Sequence, residues 1–309
     1  MPPRPLLIGT RGSPLALWQA RHVWALLLEA HGLGEGDVGL SVITTSGDRI
    51  KDAPLRDFGG KGLFTKEIDE ALLRGDVDLA VHSMKDLPTF LPENIVIAAV
   101  LPRADVRDAF ISPKASSLAE LPPGAVVGTS SLRRGAQLKR LRPDLRVIDF
   151  RGNVETRLRK LAEGQADATL LALAGLERLG LAAYATSVLS TEEMLPAAAQ
   201  GAIGVTCRGD DAKTRTLLAA LNDEASATAV ACERAFLARL DGSCKTPIAG
   251  LAEIDDGMLR FRGLILAPDG REWHEIGLDG AAENAASLGT DAGEELLARA
   301  GPEFLASLA

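Results

Sequence analysis

Two stretches of this chain follow the same pattern, and the repetition limits the folds open to it. Ile8-Gly9-Thr10-Arg11-Gly12-Ser13 is echoed by Val127-Gly128-Thr129-Ser130-Ser131. Gly75-Asp76-Val77-Asp78-Leu79-Ala80-Val81 is echoed by Gly164-Gln165-Ala166-Asp167-Ala168-Thr169-Leu170. The first pair runs a short apolar strand into a polar turn ahead of a helix. The second pair puts a helix-stopping glycine ahead of a strand. Strands alternating with helices in this way predict βαβ units and parallel sheets. The expected architecture is therefore α/β, with two similar lobes facing each other. A length of 309 residues leaves room for a further domain.

Read in order, Leu6 to Ile8 is a strand, and Ser13-Pro14 opens a helix with a good N-cap and a proline at the first helical position. Gly32 stops that helix, and Leu40 to Thr44 is the next strand. Residues 46–62 hold Gly47, Pro54, Gly59, Gly60 and Gly62 without periodicity, which predicts a long, functional loop. Leu63 to Arg74 reads as a helix, followed by strands to Val81 and from Ile95 to Val100. The chain crosses into the second unit near Leu101-Pro102-Arg103 and back near Leu195-Pro196 to Gly201. Between the crossings lie a strand at Val147 to Phe150 and a helix at Val154 to Glu163. A strand at Ala202 to Thr206 and a helix at Asp211 to Leu221 follow the return.

From Asn222 the pattern changes to a helix to Leu240, strands near 248–254, 259–266 and 272–277, and a helix near 281–300. The predicted division is a first lobe of residues 1–101 with 197–221, a second lobe of 102–196, and a small C-terminal α+β domain of 222–309.

Composition excludes several classes. A net charge of −8 with 4% aromatics argues against nucleic-acid binding. No stretch of about 18 apolar residues is present, so no membrane span is expected. Met1-Pro2-Pro3-Arg4-Pro5 lacks the apolar segment of an export signal, so a cytoplasmic protein is expected. Cys207, Cys232 and Cys244 then read as reduced thiols, and neither their spacing nor the scattered His22, His31, His82 and His274 suggests a metal site.

Three features suggest chemistry. The strand ending at Val81 breaks at once into His82-Ser83-Met84-Lys85-Asp86-Leu87-Pro88, and strand ends of this kind open into ligand crevices. Lys85 beside Asp86 favours the ionised carboxylate. The second feature is a set of arginines at helix starts: Arg11, Arg133 and Arg134 behind Ser130 or Ser131, Arg151, and Arg157. A helix N-terminus repels cations, so this many predicts an anion bound there by backbone N–H groups and guanidinium forks. The third is Cys244 in Asp241-Gly242-Ser243-Cys244-Lys245-Thr246-Pro247, an accessible loop thiol that Lys245 would help to ionise. Cys232 and Cys207 read as structural.

His82-Ser83-Met84-Lys85-Asp86-Leu87-Pro88, Gly128-Thr129-Ser130-Ser131-Leu132-Arg133-Arg134, Arg151-Gly152-Asn153-Val154, Gln200-Gly201 and Gly242-Ser243-Cys244 together resemble the porphobilinogen deaminase (hydroxymethylbilane synthase) family. The resemblance runs from Ile8 to about Gly250. It implies two lobes like those of periplasmic binding proteins and a third domain carrying the cofactor. That cofactor is a dipyrromethane joined by a thioether to the residue matching Cys244. It also implies a transferase of porphyrin, tetrapyrrole and heme biosynthesis, monomeric, acting on porphobilinogen and the growing polypyrrole chain. Asp86 would be the catalytic acid. Ser13, Lys85, Thr129, Ser131, Arg133 and Arg134 would hold the cofactor, and Arg11, Arg151, Arg157, Arg178, Gln200, Gly201 and Lys61 the substrate. Four residues before Lys61, where the family often has a second basic residue, this chain has Asp57. The rival reading is a two-lobed binding protein that closes on an anionic small molecule without chemistry; it has no use for Asp86 or Cys244.

Overall fold

The computed structural model describes residues 5–49, 62–240 and 246–307. The chain builds β1 (Leu6–Thr10), α1 (Pro14–His31), β2 (Val38–Val42), α2 (Ser46–Arg49), α3 (Lys66–Arg74), β3 (Leu79–Ser83) and β4 (Ile95–Val100). Next come β5 (Asp108–Ile111), β6 (Val126–Gly128), α4 (Leu132–Leu141), β7 (Arg146–Ile148), α5 (Val154–Ala162), β8 (Ala168–Ala172), α6 (Leu173–Arg178) and β9 (Ser187–Val188). The remainder is β10 (Ile203–Arg208), α7 (Ala212–Ala219), α8 (Glu224–Arg239), β11 (Ile248–Asp255), β12 (Met258–Leu266), β13 (Trp273–Ala281) and α9 (Ala285–Ser307). Two compact units result: residues 1–104 with 202–227, and residues 105–201 with 228–309.

The first unit holds a sheet of order β2-β1-β3-β10-β4. Strands β1, β2 and β3 run parallel, and β10 lies antiparallel between β3 and β4. Helix α1 forms where the sequence predicts it. The Ser13 hydroxyl accepts the Ala16 N–H at 3.3 Å, Pro14 takes the first position, and Gly32 ends the helix with φ of 61°. Its buried Ala20, Val23 and Leu27 pack with Ile8, Leu79 and Val81 of the sheet. That apolar face makes a helix of this length stable in place.

The second unit begins with the same design. Its sheet has the order β7-β6-β8-β5-β9, with β6, β7 and β8 parallel and β5 antiparallel between β8 and β9. The echoed stretches thus occupy equivalent strands, β1 with β6 and β3 with β8. This unit also contains a three-stranded antiparallel meander, β11-β12-β13, whose core of Phe261, Ile265 and Ile276 is covered by Cys232 and Phe236 of α8 and by Ala292 and Leu296 of α9. The architecture is mixed α/β, with two sheet lobes and a C-terminal α+β domain.

Several elements differ from the sequence expectation. Strand β2 starts at Val38, two residues early, because the pairing of Leu6 with Val38 sets its register. Within the predicted loop, Ser46–Arg49 forms one helical turn, and Asp48 accepts the Thr45 N–H at 3.2 Å. Helix α3 begins at Lys66, because residues 62–65 form a turn. Strands β5 and β9 and helix α6 have no counterpart in the sequence reading. Among the described residues, no helix is long and apolar enough to cross a membrane.

Candidate active site

In an α/β sheet, ligands bind at the carboxyl ends of the parallel strands. In the first unit, that edge carries the turn at Met84–Asp86, a single 3-10 turn directly after β3. Its base is fixed by burial. Met84 is 1% exposed, its N–H bonds Ala202 O at 3.0 Å, and its thioether lies where Gly204 of β10 has no side chain. A Cβ at Gly204 would come within 1.9 Å of Met84 Sδ. His82 is buried with Nε2 3.1 Å from Thr206 Oγ1; burial first, then the charge of Arg11, lowers its pKa to about 4. Gln19 Nε2 donates to Ser83 Oγ at 2.8 Å. On this rigid base Lys85 is half-buried and Asp86 is exposed.

Arg11 follows the carboxyl end of β1, and among the described residues the anion it faces is the carboxylate of Asp48. Arg11 Nε donates to Asp48 Oδ1 at 3.1 Å, and its guanidinium lies 4.1 Å over the Phe64 ring. Burial works to raise the Asp48 pKa, but the bonds from Arg11 and Thr45 outweigh it and leave the pKa lowered. Ser13 is occupied as the cap of α1.

The second unit carries Thr129 and Ser131 at the carboxyl end of β6. The cap of α4 is Ser131, whose Oγ accepts the Arg134 N–H at 3.4 Å, while its own N–H bonds Thr129 Oγ1 at 3.2 Å. Arg133 and Arg134 do lie in the first helical turn, but the anion opposite them is again a protein carboxylate. Asp108 Oδ2 accepts Arg133 Nη2, and Asp108 Oδ1 accepts Arg134 Nη2, each at 2.7 Å. Because β5 is antiparallel, its first residue falls at the edge where the parallel strands end, opposite Ala172. Burial works to raise the Asp108 pKa, yet Arg133 and Arg134 hold it well below the usual carboxylate range.

The same cluster gathers the second crossing. Arg133 Nη1 donates to Leu195 O at 2.7 Å, and Gln200 Nε2 donates to Asp108 Oδ1 at 2.8 Å. Arg178, at the end of α6, donates to Gly201 O at 2.6 Å, and burial lowers its pKa. Glu233 of α8 is fully buried and accepts the N–H groups of Ala199 and Ala252, which holds Ala199 at a φ of 60°. Arg133, Arg134 and Gln200 are thus brought together around Asp108, and Arg178 is bonded to Gly201, the residue next to Gln200. Arg151 and Arg157 are half-buried on either side of the α5 cap, Asn153, at a separate helix start.

Sequence reasoning missed Asp48, Asp108 and Glu233. The run Asp108-Ala109-Phe110-Ile111 is an apolar stretch opened by an acid, too short to stand out as a strand. Cys244 and Lys61 lie outside the described residues. Cys207 and Cys232 are buried, and burial pushes their thiols up to about 11 and about 12, so neither is a nucleophile near neutral pH.

These elements define a class: a two-lobed α/β protein with an appended α+β domain and basic residues at its helix starts. Comparison with known proteins gives the family. The family model described as porphobilinogen deaminase, dipyromethane cofactor binding domain, matches residues 6–216, and that of the porphobilinogen deaminase C-terminal domain matches residues 227–298. Porphobilinogen deaminase of Paracoccus denitrificans is 57% identical over 98% of this chain and 97% of its own length. The chloroplastic porphobilinogen deaminase of Oryza sativa is 58% identical over 97% and 86%. The chain belongs to the porphobilinogen deaminase family, and is a transferase with a dipyrromethane cofactor. Among solved structures, a periplasmic substrate-binding protein of an ABC transporter from Coxiella burnetii aligns with 74% of this chain and 96% of its own, at 16% identity and a TM-score of 0.45. A likeness at that level adds nothing to the topology already read from the sheets.

The residues present fit that cofactor. One carboxylate faces two buried guanidiniums, so one positive charge is left over, and the Nε atoms of Arg133 and Arg134 have no hydrogen-bond partner among the described residues. A donor set of this kind suits a group bearing several carboxylates.

Proposed function

We propose that this transferase condenses four porphobilinogen molecules head to tail onto a dipyrromethane held as a thioether by Cys244, releasing four ammonia molecules and then, by hydrolysis, hydroxymethylbilane. When bound, the dipyrromethane supplies the electron-rich pyrrole carbon from which the chain grows. Asp86 supplies the negative charge. Loss of ammonia from the aminomethyl group of porphobilinogen leaves an electron-poor azafulvenium, and a fixed carboxylate near the pyrrole N–H stabilises it. Asp86 also serves proton transfer. The observation that carries this role is the contrast within one turn: Met84 is buried and bonded, whereas Asp86 is exposed at the carboxyl end of a parallel strand.

Porphobilinogen carries an acetate and a propionate, so each condensation adds two negative charges. Arg11, Arg151, Arg157 and Arg178, with Gln200, Gly201 and Lys61, hold the substrate carboxylates. Ser13, Lys85, Thr129, Ser131, Arg133 and Arg134 hold those of the cofactor. The Asp48 and Asp108 pairs leave these roles open to Arg11, Arg133 and Arg134, since each guanidinium has N–H groups beyond those its carboxylate takes. We place the catalytic acid in a lobe of residues 1–101 with 197–221, the Arg-rich site in 102–196 and the cofactor thiol in 222–309, in a cytoplasmic monomer.

Intact-mass spectrometry tests the reading directly. Protein purified from a host that makes porphobilinogen should be heavier than its sequence by one dipyrromethane. An unmodified mass would return the chain to the binding-protein reading.

A further inference from the structure

Asp108 holds together groups from two places in the second unit, helix α4 and the second crossing. Its Oδ2 takes Arg133, and its Oδ1 takes both Arg134 and Gln200. Each arginine then uses Nη1 on a main-chain carbonyl, Arg133 on Leu195 at 2.7 Å and Arg134 on Leu170 at 3.0 Å. Gln200 also donates to Val106 O at 2.7 Å, and Gln137 bonds both the N–H and the carbonyl of Leu195. Both guanidinium planes are therefore fixed from two sides.

The charges of this cluster do not balance. Asp108 is fully buried and the two arginines are 5% exposed, yet one carboxylate serves two cations. A buried uncompensated charge is unfavourable, and both arginines also sit at a helix N-terminus, which repels them. A cluster whose task was only to tie strands together would be better served by one arginine. The surplus charge, and the two Nε atoms that have no hydrogen-bond partner among the described residues, are what a ligand carboxylate would use.

We propose that Asp108 is a positioning residue: it orients Arg133 and Arg134, and the adjoining Gln200, as a rigid cradle with one net positive charge for the carboxylates of the dipyrromethane and the growing chain. This rests on the reading, given above, that Arg133 and Arg134 hold those carboxylates. Asp108 touches neither reacting atom and acts through the arginines. Its geometry matters as much as its charge, because the two oxygens divide the two forks between them.

Asp108→Glu keeps the charge and shifts the oxygens by one methylene, while Asp108→Asn keeps the shape and removes the charge. The variants are made in the full-length protein in a porphobilinogen-producing host. Three measurements are taken: the fraction carrying the dipyrromethane mass, the thermal melt, and KM and kcat for porphobilinogen. Both variants should fold and carry the adduct in a clearly smaller fraction than the parent. In the loaded fraction KM should rise about tenfold with kcat little changed, the pattern of lost uniform binding. A folded Asp108→Glu with parental adduct fraction and KM overturns the proposal. Failure of Asp108→Glu to fold does so too, since Asp108 would then be a residue of the core alone. Arg133→Gln and Arg134→Gln separate this from the reading beneath it. If both keep adduct and KM, the arginine assignment falls; if they lose them while Asp108→Glu does not, only the positioning role falls.

Discussion

Asp86 and His82 are four residues apart and meet opposite environments. Asp86 is exposed at the tip of the turn, so removing its charge should leave the fold intact. Asp86→Asn is expected to lower kcat by about 10²–10³, the range for loss of one preorganised electrostatic partner of a transition state. Ammonia release measures it, with circular dichroism as the folding control; near-parental release would remove Asp86 from the mechanism. His82 gives a pH prediction. Its pKa falls from 6.5 in the unfolded chain to about 4 when buried beside Thr206. The neutral ring therefore contributes stability fully above pH 6.5, and that stability is lost as pH falls toward 4, by roughly 1.4 kcal/mol per unit. Asp69, which burial raises to about 6, works the other way, since its folded state gains stability as it protonates below pH 6. His82→Gln should flatten the loss of melting temperature between pH 6.5 and 4 relative to the parent; an unchanged slope would show that His82 does not titrate in this way. At this scale the sequence showed the arginines but not their counter-ions. Asp108 is 25 residues before Arg133, on a strand inserted antiparallel, and no local window spans that distance.

Elements were legible wherever a cap or a stop marked them. Ser13 and Gly32 bracket α1, and Gly75 closes α3 with φ of 76°. The short β5 and β9 escaped because four and two residues carry too little periodicity to stand out. Helix α6 escaped because Leu173 continues straight from β8 with no capping side chain. One contact between elements sets the turn that bears Asp86, that of Met84 against Gly204. A methyl group at 204 collides with a buried thioether, so Gly204→Ala should destabilise the first unit by about 1–3 kcal/mol, as overpacking does, and lower kcat as the turn shifts. Adding Met84→Ala should recover much of the melting temperature without recovering the turn. Thermal melts and ammonia release on the single and double variants check this; full activity in Gly204→Ala would mean that the turn tolerates displacement.

At the scale of the whole molecule, the echo in the sequence was enough to announce two like sheets, each with four strands in one direction and one antiparallel strand in the fourth position. The division of the chain was harder to read, because residues 202–227 rejoin a unit that the chain left a hundred residues earlier. A ligand that binds only the folded chain raises its stability. Cys244→Ala is accordingly expected to lack the dipyrromethane mass and to melt several degrees below the loaded parent; a normal adduct would refute Cys244 as the point of attachment.

The interleaved strand β10 also has a consequence for synthesis on the ribosome. Among the described residues strand β4 pairs only with β10, and the turn bearing Asp86 is latched by Ala202 and Gly204. Neither can be set until the chain beyond residue 208 has emerged, by which point the five strands of the second sheet have already been made. The turn that presents Asp86 is therefore encoded early and completed late, and a nascent chain interrupted before β10 would carry Asp86 on an unfinished sheet.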